Sequence, residues 1–149
     1  MKKNLFSLRG KVVIITGGAG MLGLEYAQVI SRAGARAVLF DVRSNKRVKK
    51  FDYLQVDITK KSEVKKAVNR IIKKYGRIDA LINNAAMNPV PGTKESAAQF
   101  SPYEKYPLEL WERELSVGLT GMRLCAQAVI PIMKSERRGS IINISSTYG

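Results

Sequence analysis

The chain has 149 residues, which fits one domain, and its apolar share of 45% is ordinary for a globular protein. The single cysteine, Cys125, excludes an internal disulfide framework. With no histidine, Cys/His zinc sites and nucleophile systems that need a histidine base are excluded as well. The net charge of +14 keeps a nucleic-acid partner under consideration.

The first residues, Met1-Lys2-Lys3-Asn4-Leu5-Phe6, are basic but lack the apolar run of a secretory signal, and no segment approaches the length of a membrane span. The expectation is a soluble, cytoplasmic protein with no membrane partner.

Val12-Val13-Ile14-Ile15-Thr16 is an unbroken, β-branched run of the kind that a strand buried on both faces requires. A glycine cluster follows. Leu22, Tyr26, Val29, Ile30 and Ala33 then recur at helical spacing, and Gly34 supplies the stop. Residues 37–41 read as a second strand. Residues 42–52 are basic and poorly patterned, which predicts a loop or a short helix. Residues 53–57 form a third predicted strand. Ser62 followed by Glu63 marks a helix start, with Val64, Val68, Ile71, Ile72 and Tyr75 on the buried face and Gly76 at the close. Residues 80–83 predict a fourth strand.

Residues 87–106 contain Pro89, Pro91, Gly92, Ser96, Ser101 and Pro102 and predict a long loop. From about Leu108 a helix runs towards Met133, its last turn kinked or weakened by Pro131. Gly139 leads into a fifth strand over residues 140–145. Strands alternating with helices imply an α/β fold with a parallel sheet covered on both faces.

The basic residues concentrate at Lys46, Arg47, Lys49 and Lys50 and along the second helix from Lys60 to Lys74, opposite its apolar positions. A solvated helix face and a nucleic-acid patch both fit this pattern. No zinc-finger, RNP-like or KH-like motif accompanies it, which favours the solvated face.

Gly18-Ala19-Gly20-Met21-Leu22-Gly23 is a Gly-x-Gly-x-x-Gly sequence preceded by Gly17, entered from a buried strand and left by a helix. A pyrophosphate must approach the backbone closely there, and side chains would block it. The N–H groups at the helix start then meet the anion in the favourable field of the helix dipole. Asp41 follows Gly23 by eighteen residues, at the end of the second predicted strand. A carboxylate there accepts from both adenosine ribose hydroxyls and repels a 2′-phosphate, favouring NAD over NADP; Arg43 nearby works against that preference. The loop and the acid together imply a Rossmann-type sheet.

Four pieces in order resemble the short-chain dehydrogenase/reductase family. They are Thr16 to Gly23, Asp57 after the third strand, Asn83-Asn84-Ala85-Ala86, and Asn143-Ile144-Ser145-Ser146. The resemblance implies that Gly17, Gly20, Met21, Leu22 and Gly23 bind the cofactor together with Asp41. It implies that Asp57 bonds the adenine amino group with Ile58 beside the ring. Asn83, Asn84 and Ala85 would line the nicotinamide-side ribose and brace the central strand, and Ser146 would be the catalytic serine that holds the substrate oxygen. No metal is implied.

The chain departs from the family pattern at three places. Met21 stands where single-domain members carry the middle glycine, so the spacing is that of the extended branch that acts on sugar nucleotides. The Asn-Asn-Ala and Asn-Ile-Ser-Ser pieces point back to the single-domain branch. Gly118 replaces an asparagine that helps hold a water in the family's proton relay, and a glycine inside a helix costs about 1 kcal/mol. No tyrosine in the chain has a lysine four residues later, so the family's proton donor and its partner are missing.

The sequence is therefore expected to hold residues 1–149 of a partial NAD-binding domain of about five strands, in a truncated frame or fragment of a dehydrogenase acting on a small-molecule alcohol or ketone. A sugar derivative is the substrate class the glycine spacing hints at. A non-catalytic dinucleotide-binding module and a basic nucleic-acid-binding protein are the alternatives. Leu115, Leu119, Met122 and Ala126 on the 108–133 helix either form a homo-oligomer face or pack on the sheet, and the fifth strand is expected to present an exposed edge.

Overall fold

The computed structural model describes residues 6–44, 46–87 and 92–145. Five strands form one sheet: β1 (Val12–Thr16), β2 (Arg36–Asp41), β3 (Asp52–Gln55), β4 (Ala80–Asn83) and β5 (Ser140–Asn143). Their order is β3-β2-β1-β4-β5, and every neighbouring pair is parallel. The chain winds outward from β1 to β3, then crosses back to the other side of β1. That reversal opens a crevice beyond the C-terminal ends of β1 and β4, where open α/β sheets bind their ligands. The sheet is Rossmann-type.

Parallel strands need cover on both faces, and the alternation along β1 shows how one run of apolar residues serves both. Val12 and Ile14 join Val38, Phe40 and Leu81 in a core closed by α2 (Lys61–Tyr75) and α5 (Met122–Ser135). Val13 and Ile15 join Leu39 and Ile82 against α1 (Met21–Arg32) and Val48. Val48 belongs to a 3₁₀ turn, Lys46–Lys50, in the segment expected as a loop or short helix.

Several boundaries differ from expectation. β3 stops at Gln55, after a last bond from the Val56 N–H to the Asp41 carbonyl, short of the expected Asp57. β5 ends at Asn143 and covers less than the expected 140–145. In α1 the buried positions are Gly23, Leu24 and Ala27, while Leu22 and Val29 are exposed. The close contact of Gly23 with the loop turns that stripe inward. α2 starts at Lys61 with Lys60 at its cap, one residue before the expected Ser62, and it closes on Gly76 at φ 72°. Residues 87–106 are less loop-like than expected. The Thr93 side chain accepts from the Ser96 N–H and starts α3 (Lys94–Gln99), and Tyr103–Lys105 form a further 3₁₀ turn. Pro89 and Pro91 lie outside the described residues.

The helix expected from Leu108 is α4 (Leu108–Leu115), a π-helical stretch Ser116–Gly121, and α5. Pro131 does not end it; the helix runs on to Ser135. The continuous span Leu108–Ser135 is 28 residues long and apolar enough to cross a membrane by length and composition, contrary to expectation. Its inner residues Leu110, Cys125, Val129 and Met133 are buried, as suits a helix laid on a sheet.

Asp79 clamps the N-terminal ends of three strands. Its carboxylate accepts from the Val12 N–H at 2.9 Å, from Arg77 Nε at 2.7 Å and from Lys11 Nζ at 3.3 Å. Its carbonyl accepts from the Ser140 N–H at 3.0 Å. Burial alone would raise the Asp79 pKa, but Arg77, the Val12 N–H and Lys11 outweigh it and hold the group at about 2, below its ordinary 3.8. A depressed carboxyl adds stability above its unfolded pKa and loses it as pH falls through the folded one. The contribution at neutral pH is roughly 2 kcal/mol at most, since Lys11 and Arg138 remain solvent-facing. Urea unfolding from pH 7 down to pH 2 should show this loss between about pH 4 and 2. Asp79→Asn should be less stable at neutral pH and show a shallower acid slope. An unchanged slope would contradict the clamp.

Candidate dinucleotide-binding site

The loop from Thr16 to Gly23 lies at the C-terminal end of β1, in the crevice, and hydrogen bonds tie it to both neighbouring strands. On the β2 side the Ala19 N–H donates to Asp41 Oδ2 at 3.0 Å, and the Gly18 N–H donates to the Phe40 carbonyl at 3.1 Å. On the β4 side the buried Thr16 hydroxyl accepts from the Asn84 and Ala85 N–H groups, each at 3.0 Å, and the Asn84 side-chain amide donates to the Thr16 carbonyl at 3.0 Å. The site therefore brings Gly17, Gly20, Asp41, Asn84 and Ala85 together around one loop.

Two glycines here are required by space. Gly17 has φ 64°, and a Cβ on it would stand 2.9 Å from Ala85 Cα. A Cβ on Gly23 would stand 2.4 Å from the Gly17 carbonyl oxygen, so α1 could not lie this close to the loop. Gly20 caps α1 without a side-chain hydrogen bond, and the first turn carries no acid. Neither a cap side chain nor an acid occupies the start of α1, the arrangement that an anion at a helix N-terminus uses. Met21, which replaces the family's glycine, is exposed and adds no bulk beneath the loop.

Asp41 is 8% exposed, and both of its carboxylate oxygens are positioned, Oδ2 by Ala19 and Oδ1 by the Arg43 N–H at 3.0 Å. The Tyr53 hydroxyl lies within hydrogen-bond distance of the Asp41 and Arg43 carbonyls, and Gln55 Nε2 donates to the Val42 carbonyl at 3.1 Å. The turn after β2 is thus held from β3. Beside it opens a cleft of about 450 Å³ lined by Val42, Gln55, Asp57, Lys60 and Glu63.

Asp57 sits in that cleft. Burial would raise its pKa, but the Thr59 hydroxyl at 2.6 Å, the Thr59 N–H at 3.0 Å and Lys60 lower it, so it stands there as an ionised acceptor. Glu63 accepts the Asp57 N–H at 2.8 Å, and Lys60 bridges both acids at 3.4 and 3.2 Å. Ile58, next to Asp57, turns into the core, its Cδ1 2.7 Å from where a Cβ on Gly121 would be.

Asn83 is buried, and its amide donates to Asn143 Oδ1 at 2.9 Å, across the register pair Asn83↔Asn143. The first asparagine of the motif therefore braces β4 against β5, while Asn84 and Ala85 bind the glycine loop. Ser146 lies outside the described residues. A Cβ on Gly118 would meet nothing within 4 Å, so the π-helical stretch has open space where the family carries asparagine. No group of three or more metal-ligating side chains occurs among the described residues. Buried Cys125 has its pKa pushed up to about 12 by burial, which leaves it unreactive.

Sequence reasoning named Thr16 only as the start of a motif and missed Lys60, Glu63 and Asn143 as parts of the site. The signal for Glu63 was its position at the start of α2, near Asp57. For Asn143 it was an asparagine at the same height on the next strand.

The sequence profile described as short chain dehydrogenase matches residues 11–149. The chain belongs to this family. An uncharacterized oxidoreductase of Bacillus subtilis, YxjF, is 35% identical over 95% of this chain and 55% of its own length. The 3-oxoacyl-[acyl-carrier-protein] reductase FabG of Thermotoga maritima is 32% identical over 95% of this chain and 58% of its own. Among solved structures, an NAD+-bound xylitol dehydrogenase superposes with a TM-score of 0.82 at 26% identity, covering 95% of this chain and 55% of that one. The aldohexose dehydrogenase of Thermoplasma acidophilum superposes at 0.78 with 30% identity, covering 93% and 50%. The chain thus spans about half the length of the relatives it matches. Short-chain dehydrogenases bind nicotinamide cofactors, and the glycine loop, Asp41 at the end of β2 and the open crevice of this chain fit one.

The Thr16 hydroxyl should be worth more to this site than its size suggests. Thr16→Val keeps the shape but leaves two part-buried N–H groups without an acceptor, at about 1–3 kcal/mol each before relaxation. Denaturant unfolding should show Thr16→Val destabilised by about 2 kcal/mol and Thr16→Ser close to wild type. Equal stability of Thr16→Val and wild type would remove the tie from the account.

Proposed function

We propose that residues 1–149 form the cofactor-binding part of an NAD-preferring oxidoreductase that transfers hydride between the nicotinamide and an alcohol or ketone. The carrying observation is Asp41, a nearly buried carboxylate at the end of β2 whose two oxygens are already oriented by Ala19 and Arg43. Each oxygen retains a lone pair, so a ribose diol binds without rearrangement. The same fixed charge opposes a 2′-phosphate. Arg43, exposed beside it, moderates the preference.

In this reading the first-turn N–H groups of α1 hold the pyrophosphate. Asp57 accepts from the adenine amino group in the cleft, with the Ile58 backbone beside the ring, Asn84 and Ala85 flank the nicotinamide ribose, and buried Asn83 braces the central strand. Ser146 holds the substrate oxygen. The bound nicotinamide supplies or accepts the hydride. Proton exchange with the substrate oxygen requires a donor that these 149 residues do not contain, since no tyrosine has a lysine four residues on. The names of two structural relatives, xylitol dehydrogenase and aldohexose dehydrogenase, agree with the sugar-like glycine spacing and favour a polyol or sugar substrate.

The oligomer face is the outer stripe of the long helix. Leu115 and Leu119 point outward, with Leu119 63% exposed, while Ala126 packs against the core. A second copy of the chain would cover Leu108, Trp111, Leu115 and Leu119, which stand three and four residues apart on one side. Sedimentation should find wild type self-associating and Leu119→Glu monomeric; a monomeric wild type would remove this assembly.

Titration calorimetry should find NAD bound more tightly than NADP. Asp41→Ala should shift the ratio towards NADP by at least about tenfold, or about 1.4 kcal/mol. An unaltered ratio would take Asp41 out of the site, and robust turnover by these residues alone would overturn the division between binding and proton transfer.

A further inference from the structure

Because all five strands run parallel, their N-terminal ends share one side of the sheet, as do the C-terminal ends of the helices that lead into them. Every strand is entered past a cation: Lys11 before β1, Arg36 at the start of β2, Lys50 before β3, Arg77 before β4 and Arg138 before β5. Lys49 and Arg137 stand beside two of these, and Arg32, Lys73 and Lys134 lie in the last turns of α1, α2 and α5.

Contacts join these positions into one field. Asp52 bonds Lys74 and Tyr75 and also feels Arg36, and Asp79 gathers Lys11, Arg77 and Arg138. The acids at this end among the described residues are Asp52, Asp79 and Glu136, so cations far outnumber them.

Cations in a helix's last turn complement its dipole and need no further reason. Strand starts offer no such compensation, because sheet dipoles are small. Asp79 and Asp52 engage Lys11, Arg36, Arg77 and Arg138 as part of the fold, but three acids leave a net positive charge over this end. The opposite end of the sheet is mixed in charge: Asp41, Asp57 and Glu63 stand there beside Arg43, Lys60 and Lys61.

We propose that the N-terminal end of the sheet docks the phosphate backbone of a nucleic acid while the cofactor end stays open. Strands about 4.8 Å apart make a cationic platform roughly 20 Å across, held rigid by the core beneath it. Such a platform meets phosphates without reading bases, and its affinity comes from counterion release. An anionic bilayer fits less well. The basic helix α2 has its apolar face, Val64, Ala67, Val68 and Ile71, buried in the core, so it has no apolar face to insert between lipids.

The test is fluorescence anisotropy with a labelled DNA duplex of about 20 base pairs over a salt series, where each phosphate contact contributes about −0.9 to the log–log slope. A variant carrying Lys49→Gln, Lys50→Gln, Lys73→Gln and Lys134→Gln removes exposed charges from the docking end. A control carrying Lys61→Gln, Lys65→Gln, Lys66→Gln and Lys94→Gln removes the same charge elsewhere. The docking-end variant should lose at least about tenfold in affinity and flatten the slope by about 1 per cation engaged, and the control should lose about twofold or less. In wild type, duplex should protect Lys49, Lys50 and Lys73 from acylation and leave Lys61 and Lys65 reactive, a readout that needs no variant to fold. Equal loss in both variants, absence of duplex binding, protection at Lys61 and Lys65 instead, or binding to phosphatidylserine vesicles without binding to duplex would each overturn the proposal.

Discussion

The Thr16 hydroxyl joins the two halves of this fold. β1 and β4 are neighbours in the sheet but belong to opposite windings of the chain, and the strand order reverses between them. A crevice is unavoidable at that reversal. The β1–β4 ladder holds the strands together as far as Ile15, and beyond it one buried oxygen that accepts from Asn84 and Ala85 carries the tie across the mouth of the crevice. The Asn84 side chain returns the contact to the Thr16 carbonyl. Because Gly17 must pass within contact distance of Ala85, the tie also sets how deep the glycine loop lies, and with it the start of α1.

On the other side of the loop Asp41 makes the corresponding connection to β2. A carboxylate that holds a loop N–H on one oxygen and its own turn on the other is fixed before any ligand arrives. Preorganisation of this kind lowers the cost of binding, because the groups that meet the ligand need not be ordered again. Asp57 repeats the pattern with Thr59, Lys60 and Glu63. The acids at the crevice are fixed among cations such as Lys60 and Arg43, while cations outnumber acids at the far end where Asp79 clamps the strands.

Much of this was legible in the residues. β1 and β4 follow directly from their apolar runs, and Gly76 at φ 72° ends α2 where its position predicts. The glycine loop and Asp41 were legible because their chemistry demands fixed spacing. Other features depend on tertiary contact and leave no periodic trace. The buried stripe of α1 passes through Gly23, which hydropathy does not register, so the apolar pattern pointed instead to Leu22 and Val29, both exposed. α3 rests on a single cap from Thr93, in a stretch whose prolines and serines read as loop. Pro131 sits within α5, as the helix expected to run towards Met133 already placed it, and Val129 and Met133 on either side are buried. The gathering of cations at one end was visible only as separate runs until the parallel topology placed every strand start on one side.

A ready-made cradle for a dinucleotide around the Thr16–Gly23 loop is what the proposed function requires of these residues. Amide chemical-shift mapping of the ¹⁵N-labelled chain during an NAD titration tests it most directly. Saturable shifts should be confined to residues 17–22, to Asp41 and Val42, to Asp57 and Ile58, and to Asn84 and Ala85, with the strand starts around Lys11 and Arg77 unmoved. Shifts that fail to saturate, or that map to the N-terminal end of the sheet, would contradict it.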